Sequence, residues 1–184
     1  LQINNVTFGG KATGRILASS VLSKAPKLET ESFFVKDMTY NSSLLGDADM
    51  KSFWNNEKKY VAIQALITQP NGLKSDVDGE IYPMNDSLRF DFRAEKLKVG
   101  FMKPFLAAFT SDIDGYATGY ARLYGKFRNV NLYGDIYAED LKIKVDYTNV
   151  YYWANDSIKL KPGYISFDEV ELKDRNGHTA ILTG

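Results

Sequence analysis

The residues best suited to chemistry are few: a single histidine, His178, no cysteine, and two short carboxylate runs, Asp76-Val77-Asp78-Gly79 and Asp112-Ile113-Asp114-Gly115. Carboxylates two apart before a glycine resemble the start of a calcium loop. Neither run continues with the further ligands and closing glutamate of an EF-hand, and Asp-Gly turns between strands are the simpler reading. A lone histidine without a nearby nucleophile or ligand partner builds neither a triad nor a zinc site. No glycine-rich loop ends in the Lys-Ser/Thr that cradles phosphate. Many Asp and Glu residues could be paired for glycoside hydrolysis, and nothing selects one pair. The expectation is a protein that is not an enzyme and has no metal and no cofactor.

Composition narrows the class further. In 184 residues, 23 basic side chains balance 23 acidic ones, so no basic footprint for nucleic acid is expected. The absence of cysteine excludes a disulfide framework and suits an oxidising compartment, although many cytosolic domains also lack cysteine. No run approaches the roughly 20 apolar residues of a membrane-spanning helix. The chain opens at Leu1 without a leader and stops at Gly184 straight after a strand-like run. That points to one continuous segment, residues 1–184, of a larger protein whose signal or anchor lies outside it.

The elements that would position any site are strands. Twelve Tyr and eleven Phe favour a pleated surface, and alternation of period two dominates the chain. Leu141, Ile143, Val145 and Tyr147 share one parity against Lys142, Lys144, Asp146 and Thr148. Leu132, Ile136 and Ala138 oppose Tyr133, Asp135 and Tyr137. Further strand-like runs cover 59–68, 73–82, 87–92, 115–124, 157–160 and 164–172. They are separated by the turn pairs Asn71-Gly72, Asp78-Gly79, Asn85-Asp86, Asp114-Gly115, Pro162-Gly163 and Asn176-Gly177. Residues 41–58 read as loop with one helical turn. Phe101, Phe105 and Phe109, with Pro104 at a first turn, suggest a short helix near 102–110. The apolar phase slips between Ile165-Phe167 and Val170-Leu172, as a bulge or a change of buried face would cause. The fold class expected is all-β: a repetitive, mostly antiparallel sheet.

Internal repetition supports this. Gly10-Lys11-Ala12-Thr13-Gly14 matches Gly115-Tyr116-Ala117-Thr118-Gly119 at four of five positions. Lys36-Asp37-Met38 follows the first much as Glu139-Asp140-Leu141 follows the second. Asp86-Ser87-Leu88 and Asp156-Ser157-Ile158 form another pair, each read as opening a strand after a turn. Repeat units of about 1–95 and 96–184 are expected to stack and bury one another's faces.

Several segments in order then resemble a known family: Met102-Lys103-Pro104-Phe105-Leu106, Asp114 to Gly119, Leu123-Tyr124-Gly125-Lys126-Phe127, Leu132-Tyr133-Gly134-Asp135-Ile136, Pro162 to Phe167 and Leu172 to Gly184. Their order and spacing are similar to the TamB/AsmA-like proteins of Gram-negative envelopes. The resemblance implies a periplasmic protein anchored in the inner membrane, its sheet curved into an open, taco-like or sandwich-like structure with an apolar inner face. It also implies phospholipid movement between the two membranes, outer-membrane assembly, and an outer-membrane barrel partner of the BamA/TamA type.

A groove for phospholipid or another acyl chain needs only continuous apolar side chains over a fully paired backbone, and a period-two strand supplies both. Each buried CH₂ contributes roughly 0.8 kcal/mol. The candidate lining is Leu132, Ile136, Leu141, Ile143, Val145, Ile165 and Phe167. The same residues fit a closed core equally well, in which case the segment is a structural or chaperone-like scaffold that binds no lipid. Tyr116, Tyr120, Tyr124, Tyr133 and Tyr137 lie on the opposite parity. There they suit cross-strand packing better than a stacking platform for sugars. Sheet edges left free in such a segment invite self-association.

Overall fold

A computed structural model describes residues 2–3, 6–20, 22, 27–40, 42–107, 110–127 and 129–184; of these, the side chains of Gln2, Ile3, Val6, Phe8, Leu28, Pro104, Phe105 and Ile165 lie outside the description. The described residues form fourteen strands: β1 Gln2–Ile3, β2 Val6–Gly14, β3 Leu17–Ser19, β4 Lys27–Tyr40, β5 Ser43–Asn55, β6 Tyr60–Thr68, β7 Lys74–Tyr82, β8 Ser87–Lys98, β9 Thr110–Lys126, β10 Asn129–Val145, β11 Val150–Lys161, β12 Tyr164–Phe167, β13 Val170–Asp174 and β14 Thr179–Leu182. They make one antiparallel sheet in the order β1-β2-β4-β5-β6-β7-β8-β9-β10-β11-β13-β14, with β12 beside β11 and β3 beside β4. Because neighbours in the sheet are mostly neighbours in sequence, hairpins build it one after another. The sheet stays open and does not close into a barrel.

Residues opposite each other in an antiparallel ladder point to the same side, so the register assigns every strand a face. One face carries Phe33, Val35, Ala48, Met50, Val61, Ile63, Ile67, Val77, Ile81, Leu88, Phe90, Phe92, Leu123, Leu132, Ile136 and Ile158. The other carries Asp47, Asp49, Lys51, Asp76, Asp78, Glu80, Arg89, Asp91, Arg93, Arg122, Tyr120, Tyr124, Tyr133 and Tyr137. This is the division that period-two alternation anticipates.

A line of irregularities crosses the sheet. In β4 the partners Val35↔Ala48 and Met38↔Gly46 leave Lys36 and Asp37 facing Asp47. In β8, Ala94↔Gly119 and Leu97↔Ala117 leave Glu95 and Lys96 facing Thr118. In β10, Ala138↔Asp156 and Leu141↔Ala154 leave Glu139 and Asp140 facing Asn155. Between β12 and β13, Phe167 exchanges backbone bonds with Gly184 while Val170 pairs with Leu182, so Asp168 and Glu169 face Thr183. The second residue of each bulge has positive φ: Asp37 51°, Lys96 46°, Asp140 50° and Glu169 55°. An extra residue on one strand bends and twists it. The bulge residues are exposed apart from half-buried Glu139, whereas Val35, Ala48, Leu97, Ala117, Ala138, Leu141, Ala154 and Val170 beside them on the apolar face are buried. The sheet therefore bends toward its apolar face along this crease.

The glycine repeat falls on the same line. Gly10 has φ +136° and Gly115 φ +123°, and a side chain on either would meet the facing bulged strand, at Lys36 O for Gly10 and Asp140 O for Gly115. The echo between Asp37 and Asp140 is thus one backbone device used twice. The phase slip at 164–172 has the same origin, a bend at Asp168-Glu169.

Several expectations need correction. Residues 43–55 form β5, not a loop. Its inner parity is Gly46, Ala48, Met50, Ser52 and Trp54, in which Gly46, Ala48 and Ser52 hide the alternation, while Phe53 lies exposed on the other face. Asp78-Gly79 and Asp114-Gly115 are not turns. Gly79 lies inside β7 because the Phe90 ring covers it, and Gly115 lies inside β9 opposite a bulge. Asp86-Ser87 does open β8, but Asp156-Ser157 lies within β11. Tyr147 belongs to the turn after β10 and is 97 % exposed. The helix is a single turn, Lys103–Leu106, after a 3₁₀ turn at Val99–Met102; Phe109 lies outside the described residues.

Candidate functional site

The crease divides the apolar face into two unequal parts. Below it, the crossover between β8 and β9 lays Val99, Met102 and Leu106 against Ile113, Leu141 and Ile143, with Ala117, Ala138, Ala154 and Val170 completing one buried cluster. This half is closed core. A smaller cluster of Val35, Ala48 and Ile67, packed by Phe33, Met50 and Val77, lies at the crease on β4–β6. Above the crease, Ile63, Ile81, Leu88, Phe90, Phe92, Leu123 and Leu132 are only half-buried. Phe90 and Phe92 stack at 6.3 Å between ring centroids on this face. With half-buried Trp54 of β5 on the same face, an apolar wall six strands wide, from β5 to β10, is left without a covering layer among the described residues.

The seven candidate lining residues divide between these parts. Leu132 stands on the open wall, half-buried. Ile136, Ile143 and Phe167 are half-buried against the lower cluster. Leu141, 7 % exposed, is core. Val145 ends β10 opposite Val150. Ile165 pairs with Leu160 on β12, and its side chain lies outside the description. The bulge at Glu139-Asp140 brings both parities of β10 to one face: Leu132 and Ile136 before it, Leu141, Ile143 and Val145 after it. Sequence reasoning missed the centre of the wall, Leu88, Phe90 and Phe92. The strict alternation of Leu88-Arg89-Phe90-Asp91-Phe92 was the signal that could have found them.

The opposite face is satisfied by its own charges. Asp91 accepts from Tyr120 Oη and, at 2.6 Å, from Arg122 Nε, with Arg89 3.6 Å away. Burial would raise its carboxyl, but the bonds from Arg122 and Tyr120 outweigh that and hold it below the ordinary range. The Tyr82 hydroxyl, bonded to Glu80 and partly buried, is pushed up to about 12. Arg93 pairs with Asp78 at 3.1 Å and Lys96 with Glu139 at 2.6 Å. A cleft of about 570 Å³ near Gln69, Lys98, Asp112, Asp114 and Lys142 has its charged groups similarly paired. There Lys98 lies 3.7 Å from Asp114, Tyr151 donates to Asp112 at 3.1 Å, and the Lys142 ammonium sits 4.5 Å over the Tyr151 ring. Asp78, Asp112 and Asp114 of the two carboxylate runs are engaged in these contacts, and no group of three or more potential metal ligands occurs among the described residues. His178 bonds Asp174 across the last turn at 2.9 Å.

Comparisons with protein-family models, with curated proteins and with solved structures find no match.

The arrangement offers a surface: an open apolar wall, backed by a charged face and bounded by a crease. No helix among the described residues is long and apolar enough to cross a membrane.

Proposed function

We propose that this chain is a periplasmic segment of a TamB/AsmA-like envelope protein, and that its open apolar wall holds the acyl chains of phospholipid in transit between inner and outer membranes. The observation that carries the reading is the wall above the crease, where large apolar side chains stay half-buried over an unbroken ladder. Acyl chains gain roughly 0.8 kcal/mol per CH₂ there without any backbone group losing its partner. Exposed apolar patches of this extent mark binding surfaces. An anchored full-length protein would engage its outer-membrane barrel of the BamA/TamA type elsewhere.

Photo-crosslinking from adjacent positions in the full-length protein in cells tests this. A photoreactive residue at Leu132 faces the wall, and one at Tyr133 faces the charged side. Phospholipid adducts are expected from position 132 and not from 133. Adducts from both equally, or only protein adducts from 132, would sink the lipid reading and leave a scaffold.

A further inference from the structure

Three polar atoms on the apolar face are unexplained by the fold. Thr30 Oγ1, Ser52 Oγ and Trp54 Nε1 are shut off from water and have no hydrogen-bond partner. They come from adjacent strands. Thr30 and Ser52 are directly opposed in the β4–β5 ladder, about 5 Å apart at Cα. Trp54 is two residues beyond Ser52 on the same side, roughly 7 Å along β5. Ser52 is 8 % exposed, and the indole ring of Trp54 is half-buried. An orphaned buried hydroxyl or N–H costs about 1–3 kcal/mol, and native chains rarely leave one without reason. Three together on a wall that is otherwise hydrocarbon form a pattern.

All three groups can donate: two hydroxyls that rotate freely and one indole N–H that only donates. Their natural complement is an acceptor. It is also a neutral one, because the register puts Met50, Val61 and Ile63 around them and sends Lys51 to the opposite face. A carboxylate or phosphate buried here would lack a cation and lose its hydration. An ester carbonyl needs neither, and it occurs where two hydrocarbon chains join a glycerol backbone.

We propose that Thr30, Ser52 and Trp54 form a polar station in the apolar wall that receives an acyl-ester carbonyl, so that the wall distinguishes ester-linked lipids from plain hydrocarbon or ether-linked chains. This rests on the acyl-chain reading above and adds to it which group of the lipid is recognised. Because the three atoms are covered in the free protein, the ester enters as the Trp54 indole swings aside. Recognition and ring movement are one event.

The test uses the full chain carrying Trp153→Phe, which leaves Trp54 as the only tryptophan. It is titrated with a short-chain diacyl phosphatidylcholine below its micellar concentration, and with the dialkyl-ether analogue of equal chain length. The diester is expected to bind at least about fivefold tighter than the diether, as one or two hydrogen bonds imply, and to shift Trp54 emission. Thr30→Val with Ser52→Ala should bring the two affinities together while leaving diether binding unchanged. The same double variant should unfold at higher temperature than its parent, since it removes two unpaired hydroxyls. Equal binding of diester and diether by the parent, without a Trp54 shift, would overturn the station and leave the apolar wall standing. Binding of neither lipid would overturn both.

Discussion

Asp91 sits on β8 between Arg89 of its own strand and Tyr120 and Arg122 of β9, only 7 % exposed. Its carboxyl is held below the ordinary value of about 3.9, so its pairing stabilises the fold at every pH above that value. The contribution fades as pH falls from about 4 toward the lowered folded value. Asp91→Asn should flatten the fall in melting temperature below pH 4. It should cost about 1–3 kcal/mol at neutral pH, because two arginines lose the charge they pair with and one of the two acceptor oxygens becomes an amide NH₂. A variant as acid-sensitive as the parent would show that other carboxylates carry the acid limb. In sequence Asp91 is one acid among 23; only the register sets it between two arginines and a tyrosine. Its side of the strand, by contrast, was readable from the parity of Leu88, Phe90 and Phe92.

The crease is assembled from a unit used four times: a bulge on the descending strand faces a short polar residue on the returning one. The Asp37 N–H donates to Asp47 Oδ1 at 2.8 Å, the Lys96 N–H to Thr118 Oγ1 at 3.0 Å and the Asp140 N–H to Asn155 Oδ1 at 2.6 Å. Thr183 stands in the fourth place. A non-glycine residue in the left-handed region costs roughly 1–2 kcal/mol, and these side chains help offset it. Asn155→Ala should therefore destabilise by about 0.5–1.5 kcal/mol, whereas Glu169→Gly should stabilise by about 0.5–1 kcal/mol by removing the strained Cβ. Thermal melts of the two variants check both signs, and a destabilising Glu169→Gly would mean that the bend does not strain this position. The echo of Asp37 in Asp140 and the slip at 164–172 were legible traces of the unit. Asp47, Thr118 and Asn155 were not, because a single Asp, Thr or Asn in a strand carries no mark of what it faces. The β5 strand was hidden for a related reason: its apolar face at the crease must be small, so Gly46, Ala48 and Ser52 dilute the hydrophobic signal.

Among the described residues the sheet order ends at β1 on one side and at β14 on the other, where Ile181 is 63 % exposed. Strand edges of this kind favour pairing between chains. Light scattering should find concentration-dependent association of this chain. Ile181→Lys should reduce it, since a charge on an edge strand opposes docking. A strictly monomeric parent at high concentration would remove the edges from consideration.

Period-two alternation, turn pairs such as Pro162-Gly163 and the balance of charges were sufficient to determine an antiparallel all-β chain with one apolar and one charged face. Strand parity is local: each residue's side follows from its neighbour's. Whether that apolar face becomes core or remains a wall is not local, and the same Leu-Ile-Val pattern serves both. The tertiary structure decided it through two non-local facts. The crossover at Val99–Leu106 returns onto the lower half and buries Leu141. Nothing among the described residues returns onto Phe90, Phe92 and Leu132, so the same pattern stays open there.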